Sequence, residues 1–354
     1  FAKAFDKVSH KKLLFKLEKI LKNKKLMGWL SFYLTKRQQL VSFRDCNSKY
    51  VMVGSGVPQG SVLGPLLFLL FINDIVEQIP VKVKLYADDC ALYSEVHSTS
   101  DQLLLNQAFQ KVASWCEEWQ MVINFDKTVF MRITHMKKPL HFRYNANNTF
   151  LTEVTNYKYL GLYISNDLCW NKHITHVTAN ATYKLFFLCR ALKLSTPSVR
   201  LLAYKSIVLP ILDYAAIIWD PFTKTNINKL EKVQKRAVRF VYNNFSRTSV
   251  TDLLSRAQLP PLLLRYRNLR LKFLYQLING QYQVDIADIF SFSSGYSTRQ
   301  RHDLTITPFP THNNCFKYSF FPRTIVEWNK LTNAIVSAPS LALFSSKLES
   351  ALTS

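Results

Sequence analysis

Acidic residues are scarce in this 354-residue chain: 23 Asp and Glu stand against 46 Lys and Arg, for a formal charge of +23. The cations run from Lys3 to Lys347, so the excess is no single basic tail, and a field of that sign favours polyanionic partners. No C-x-x-C pair occurs among Cys46, Cys90, Cys116, Cys169, Cys189 and Cys315, which argues against a zinc ribbon and against a disulfide framework. An intracellular, reducing compartment fits them, in nucleus or cytoplasm. His302, His312 and Cys315 make at most a loose metal knuckle, with a spacing that matches no strong pattern. The longest apolar run, Val62 to Ile72, is broken by Gly64-Pro65 and falls short of the about 20 residues that a bilayer span needs. No membrane partner is expected. The chain opens on Phe1 with no leader-like segment, as expected of a piece of a longer protein.

Apolar residues make up 48% of the chain, ample for real cores in two or three domains. The 25 Phe, 17 Tyr and 6 Trp exceed what a histone-like basic protein carries, and they supply large cores or surfaces on which bases stack. Nucleic acid is the expected partner.

Leu13, Leu14, Leu17, Ile20 and Leu21 recur at helical spacing. They predict a helix from Ser9 to Leu21, capped by Ser9, with Lys11, Lys12, Lys16, Lys19 and Lys22 on its solvated face. A second helix is predicted from Leu26 to Leu34, then strands at Gln39 to Phe43 and Tyr50 to Val53 with a turn at Asn47-Ser48. Gly54 to Gly60 reads as a loop whose three glycines let backbone approach a ligand, ahead of a buried helix from Leu63 to Ile79. Leu103, Leu104, Ala108, Val112, Trp115, Cys116 and Trp119 mark a long amphipathic helix whose stripe is core. Strands are predicted at Val129 to Ile133, Leu140 to Tyr144 and Tyr157 to Ile164, an α+β pattern without a regular βαβ rhythm. From Trp170 the patterning turns helical: Ile174 to Leu192, Pro197 to Trp219, Ile227 to Tyr242, Val250 to Ala257, Pro261 to Asn279 and Pro322 to Leu331. Ser291 to Tyr318 reads as a long loop, and the main boundary falls near 167 to 170.

Between two apolar runs, Val81 to Ala87 and Cys90 to Tyr93, stands the pair Asp88-Asp89. The flanks predict two short strands, with a tight hairpin holding both carboxylates at its tip. Adjacent like charges are tolerated most easily when a divalent cation neutralises them, and oxygen-only ligands favour Mg²⁺. An ordinary acidic turn is the other reading.

Five segments follow one another in order: Phe1-Ala-Lys-Ala-Phe5-Asp6-Lys-Val8-Ser-His10, then Gly56-Val-Pro58-Gln59-Gly60-Ser-Val-Leu-Gly64-Pro65, then Tyr86-Ala-Asp88-Asp89, then Asn124-Phe-Asp-Lys127-Thr128, then Tyr157-Lys-Tyr159-Leu160-Gly161. Together they resemble the palm motifs A to E of reverse transcriptases from non-LTR retrotransposons. Leu168-Cys-Trp170-Asn-Lys-His173-Ile174, Tyr214-Ala-Ala-Ile-Ile-Trp219 and Lys229 to Arg239 resemble the region after the palm in jockey-like, LINE-type elements, so the resemblance covers nearly the whole chain. It implies a right-hand polymerase palm, an antiparallel sheet with packed helices over 1–167 that lacks the fingers. A helical thumb-like region over 168–280 and a loop-rich C-terminal region over 281–354 with terminal helices would follow.

The resemblance also implies the chemistry: extension of a DNA primer, or of target DNA, on an RNA template from deoxynucleoside triphosphates. Such phosphoryl transfer uses two Mg²⁺ ions, or Mn²⁺ in their place, held by carboxylates from two strands. Asp88 is the principal metal ligand and Asp89 assists. The family's partner carboxylate stands five residues before the aromatic that Phe5 matches, so it falls one residue before Phe1, and the chain as it stands is expected to be inactive. Asp6 is no substitute, because strand alternation points it away from Phe5, and the family pattern makes it structural.

Phe5 matches the side chain that blocks a ribose 2′-hydroxyl, though a plain core Phe fits the pattern too. Pro58, Gln59 and Gly60 would meet the incoming nucleotide and the template backbone. Lys127 would protonate pyrophosphate or neutralise it. Tyr159, Leu160 and Gly161 resemble a hairpin that grips the primer. Past an apolar stripe of Leu230, Val233, Ala237, Val238 and Val241, the cations Lys232, Lys235, Arg236 and Arg239 look like a thumb face tracking phosphates, and Arg265, Arg267, Arg270 and Lys272 suggest a second. A catalytically inactive nucleic-acid-binding remnant is the alternative function.

Overall fold

In the computed structural model, which describes residues 1–134, 136–246, 249–293 and 302–351, the chain forms two units, Phe1–Thr155 and Asn156–Ser354. The first opens with α1 (Ala4–Lys7), α2 (His10–Ile20) and α3 (Lys24–Leu34). Leu13 and Leu17, one turn apart on α2, are fully buried, as the spacing predicts. Ser9 occupies the N-cap position without a side-chain bond, whereas Asn23 caps α3 by accepting from the Lys25 and Leu26 amides, which starts that helix two residues early. The lysine face is not all solvated. Lys16 is buried, its Nζ 3.7 Å from the centre of the Trp119 ring and donating to Phe71 O and Asp74 Oδ1, both at 2.6 Å. Burial pulls its pKa below the ordinary lysine value, and Asp74 opposes that shift.

β1 (Gln38–Gln39) pairs with β4 (Val51–Met52), and β2 (Ser42–Phe43) with β3 (Cys46–Asn47). The predicted turn at Asn47-Ser48 therefore lies at Arg44-Asp45, with Arg44 at φ 51°. Ser48 is pulled into the pairing, its amide donating to Val41 O and its hydroxyl accepting from the Val41 amide, both at 2.9 Å. α4 (Leu63–Ile72) gives way to a 3₁₀ turn over Asn73–Gln78 instead of continuing, and Asp74 there accepts from Lys16 and Trp115.

β5 (Lys82–Tyr86) and β6 (Asp89–Tyr93) form an antiparallel hairpin, and α5 (Thr99–Trp119) starts at a Ser98–Asp101 capping box. On α5 Ala108, Val112, Trp115 and Cys116 are buried, but Leu103 and Leu104 are exposed while Gln102 and Asn106 turn inward; Asn106 Oδ1 accepts from the Asn145 amide. β7 (Val129–Phe130) is shorter than predicted, and Leu140 to Tyr144 is not a strand. β8 (Asn145–Ala146) and β9 (Thr149–Phe150) close over Asn147-Asn148, and β10 (Thr152–Glu153) runs parallel to β7.

Every ladder among the described residues is two-stranded, so the expected continuous antiparallel palm sheet is not formed, although the mixed α+β character holds. α5 packs on β6 and β8, while Leu85 and Leu92 of the hairpin join the apolar core of α2, α4 and α5.

The second unit begins with β11 (Asn156–Tyr159) and β12 (Leu162–Ser165), a hairpin where one strand was predicted. Leu160 and Gly161 at φ 46° and 84° make the reversal. The unit boundary thus precedes this hairpin instead of falling near 167 to 170, because Leu162 belongs to the core of the helices that follow. These are α6 (Asn171–Ala191), α7 (Pro197–Ala203), α8 (Leu209–Asp213), α9 (Ala216–Trp219), α10 (Lys224–Val241), α11 (Val250–Arg256) and α12 (Leu262–Ile278).

The single helix predicted from Pro197 to Trp219 is broken. A π turn spans Tyr204–Val208, where Pro210 has no N–H to return to the preceding turn, and Ala215 at φ 51° separates α8 from α9. Leu271, Leu274 and Tyr275 of α12 build a further core with α13 (Asn314–Lys317) nearby and with α14 (Phe320–Trp328), α15 (Asn333–Val336) and α16 (Leu341–Ser350). The C-terminal stretch is therefore fastened to the preceding helices, and it is more helical than predicted. Of the loop predicted from Ser291 to Tyr318, residues 294–301 lie outside the described residues. No helix among the described residues is long and apolar enough to cross a membrane.

Candidate active site

Pleat alternation sorts the acidic hairpin. Leu85 pairs with Cys90 and Val83 with Leu92 on the inner face, while Tyr86 pairs with Asp89 and Lys84 with Ala91 on the outer one. Ala87, at φ 50°, and Asp88 make the reversal. Asp88 is thus the residue in the turn, and Asp89 is the first residue of β6, exposed beside Tyr86. The side chain of Asp88 is 43% exposed; its Oδ2 lies 4.0 Å from the Phe1 nitrogen, which donates to Asp88 O at 3.3 Å. Behind the pair, burial pushes the Cys90 thiol up to about 11, which leaves it protonated and inert.

The donor set is hard oxygen, suited to Mg²⁺ or Mn²⁺, but two carboxylates do not complete a cage. Among the described residues no three His, Cys, Asp or Glu side chains converge. His302, considered for a metal knuckle, is buried with Nε2 donating to Trp328 O at 3.1 Å, and Cys315 contacts Asp167 O at 3.5 Å.

Facing the start of the chain lies the loop of Gly56, Pro58, Gln59 and Gly60. Phe5 and Asp6 sit on the short helix α1, not on the strand that was expected, so consecutive side chains diverge by helical rotation. Phe5 is half-buried and stacks on Phe68 of α4 at 4.3 Å. Asp6 Oδ1 accepts from Gln59 Nε2 at 2.7 Å.

Backbone bonds lock loop to helix: the Gly56 amide donates to Val8 O and the Val57 amide to Phe5 O, at 2.8 and 2.9 Å. Gly56, at φ 89°, is pressed so close that a Cβ there would stand 2.9 Å from Asp6 Cα. His10 Nε2 donates to Gly56 O at 2.8 Å and Arg37 to the same oxygen at 3.3 Å. Sequence reasoning missed His10 and Arg37, because their partner is a carbonyl that no residue pattern announces. Pro58 is half-buried, its carbonyl accepting from Ser61 Oγ at 2.7 Å, and Gly60 follows in an open turn. Lys127 sits exposed in the turn after Asn124, whose carbonyl accepts from its amide at 3.1 Å. No hydrogen bond or ion pair among the described residues joins its side chain to the acidic hairpin.

In the second unit the Tyr159-Leu160-Gly161 reversal is held by Tyr214, whose Oη donates to Leu160 O at 2.8 Å. Trp219 Nε1 in turn donates to Tyr214 O at 2.9 Å. The His173 ring packs edge-on to Trp219 at 5.2 Å, and its Nδ1 accepts from the Tyr163 amide at 3.3 Å. The motifs after the palm are thus the support of this hairpin. Burial first, and His176 second, push the His173 pKa down to about 4, so the ring is neutral.

On α10 Lys232, Lys235 and Arg236 are exposed opposite the buried stripe, as the pattern predicts. Arg239 differs: it donates to Asn244 O and Ser246 O at 3.3 and 2.7 Å, closing the turn after the helix. The second basic helix, α12, is not an open cationic face. Arg265 is paired with Asp213 at 2.6 Å, and Lys272 with Glu349 at 3.2 Å. Arg270 is 1% exposed and donates to Asp220, Thr324 and Glu327. Arg323 joins Asp220 at 3.1 Å, and Arg267 lies 3.9 Å from Glu327. Burial raises the Asp220 pKa even against two arginines.

Residues 1–164 match the reverse transcriptase (RNA-dependent DNA polymerase) family. Over 251 residues the chain is 29% identical to an RNA-directed DNA polymerase from mobile element jockey of Drosophila funebris, an overlap of 67% of this chain and 27% of that protein. Over 290 residues it is 27% identical to the jockey RNA-directed DNA polymerase of Drosophila melanogaster, covering 77% of this chain and 31% of the relative. The chain therefore spans about a third or less of the length of these curated relatives. With their acidic hairpin and glycine loop, residues 1–164 belong to the reverse transcriptase family, and the chain as a whole is similar to the RNA-directed DNA polymerases of jockey mobile elements.

Proposed function

We propose that the chain supplies the palm and primer-holding parts of an RNA-directed DNA polymerase that extends a DNA primer, or target DNA, along an RNA template. The observation that carries this reading is the placement of Asp88 in a two-residue reversal with its carboxylate 4.0 Å from the Phe1 nitrogen. A carboxylate joined on the N-terminal side of Phe1 would serve with Asp88 to hold Mg²⁺ or Mn²⁺, with Asp89 assisting from the outer face. When bound, the ions stabilise the attacking 3′-oxygen and the leaving pyrophosphate.

The chain's own residues do the rest. Phe5 blocks a ribose 2′-hydroxyl, Gln59 and the backbone of Pro58 and Gly60 meet the nucleotide, and exposed Lys127 serves the departing pyrophosphate. The Tyr159-Leu160-Gly161 reversal, stiffened by Tyr214, holds the primer end. Lys232, Lys235 and Arg236 follow the hybrid's phosphates in a sequence-independent, salt-sensitive way, with Arg239 in a mainly structural part. The site of action is a reducing intracellular compartment, nucleus or cytoplasm, with the element's RNA.

A second reading, a nucleic-acid-binding remnant, is favoured by the presence of only two carboxylates at the hairpin. One experiment separates them. Lengthened upstream by its source sequence, the chain is expected to extend a primer on RNA with Mg²⁺ and to lose that activity in Asp88→Asn. A lengthened chain that binds hybrid but adds no nucleotide would establish the remnant.

A further inference from the structure

We propose that Asp6 is the positioning residue for Gln59, fixing its amide so that the loop offers an incoming nucleotide a preset hydrogen-bond acceptor. This rests on the reading of Gln59 as the nucleotide-facing side chain.

A carboxylate only accepts, so the 2.7 Å contact between Asp6 Oδ1 and Gln59 Nε2 commits the amide's N–H end to Asp6. Gln59 Oε1 is then directed elsewhere, and among the described residues it has no hydrogen-bond partner. Gln59 is exposed, and an exposed glutamine samples several rotamers unless something holds it. The backbone of Asp6 is held in place. Ser55 Oγ donates to Asp6 O at 2.8 Å, the Asp6 amide donates to Lys3 O at 3.0 Å, and Gly56 is pressed against its Cα.

The carboxylate is thus presented from a frame that the loop and the start of the chain build together, with Val57 bonded to Phe5 on one side and Gly56 to Val8 on the other. A side chain oriented before the ligand arrives loses less entropy on binding than one ordered by it. The acceptor suits a hydroxyl or base N–H donor of the nucleotide, and Phe5, next to Asp6, stands on the same short helix. Removal of Asp6 should therefore weaken nucleotide capture without touching the phosphoryl-transfer chemistry.

The test has two arms. In the 354-residue chain labelled with ¹⁵N-glutamine, the Gln59 side-chain amide pair, identified by its disappearance in Gln59→Ala, is expected to shift in Asp6→Ala. In the chain lengthened upstream, Asp6→Ala is expected to raise the KM for deoxynucleotide about tenfold, the worth of one charge-assisted bond, with kcat and hybrid affinity little changed. Asp6→Asn, which keeps an accepting oxygen, should fall between. Adding Asp6→Ala to Gln59→Ala should raise KM no further, because the two act through one contact. An amide pair indifferent to Asp6, an unchanged KM, or effects that multiply in the double variant would overturn the Asp6 proposal alone. A lengthened chain that extends no primer in any form overturns the polymerase reading, and the nucleotide role of Asp6 with it.

Discussion

Along α10, Lys232, Lys235 and Arg236 stand in solvent; along α12, Arg265, Arg267, Arg270 and Lys272 each lie within 4 Å of a carboxylate. Both helices are cationic and bury an apolar stripe. The difference lies in what faces them. α12 meets Asp213, Asp220, Glu327 and Glu349, four of the chain's 23 acids, and its charge is spent inside the fold. No acid among the described residues forms an ion pair with Lys232, Lys235 or Arg236, so in a chain of net charge +23 this face is open to an external polyanion.

The contrast breaks first at Arg270. Arg270→Ala leaves buried Asp220 with only Arg323 of its two arginines, and should destabilise the second unit by about 3–5 kcal/mol, read in a denaturant midpoint. A change below about 1 kcal/mol would mean that α12 is not a structural helix in this sense. On the other side, Lys232→Ala, Lys235→Ala and Arg236→Ala together should lower the salt slope of hybrid binding by about 3 while leaving stability within about 0.5 kcal/mol. An unchanged slope would remove α10 from the interface.

The imidazoles of α6 extend the comparison, for His176 is exposed and His173 buried. With the His173 pKa depressed from 6.5 to about 4, the unfolded chain binds the extra proton between those values. Stability is full above pH 6.5 and falls on acidification toward pH 4, by up to about 1.4 kcal/mol per pH unit from this group. In His173→Asn that segment of the pH profile should flatten; a profile identical to the parent's would contradict the assignment. The smallest effect is expected at Lys272, whose pair with the exposed Glu349 should be worth under about 1 kcal/mol when Lys272→Ala is measured by thermal unfolding.

What could be read from residues alone follows the same division. The acidic hairpin, the glycine loop and the α10 stripe were legible because their signals are local: period-two apolar flanks around Asp88-Asp89, glycines in a row, and a 3.6-residue repeat. The fate of α12 was not, because the partners of Arg270 stand 50 and 57 residues away, at Asp220 and Glu327. Lys16 was misplaced on a solvated face for the same reason, since Asp74 lies 58 residues on. Strand alternation is the ground on which the sequence points Asp6 away from Phe5, whereas a four-residue helix and a bond to Gln59 set its direction. The helix predicted over Pro197 to Trp219 ignored Pro210, whose missing N–H was in plain view.

In the proposed polymerase Asp88 is half of a metal-binding pair. That pairing is tested most directly by offering an RNA-templated DNA primer to the 354 residues alone with Mg²⁺ and deoxynucleotides. The hybrid is expected to be bound with no nucleotide added; steady Mg²⁺-dependent extension, abolished by Asp88→Asn, would overturn that pairing.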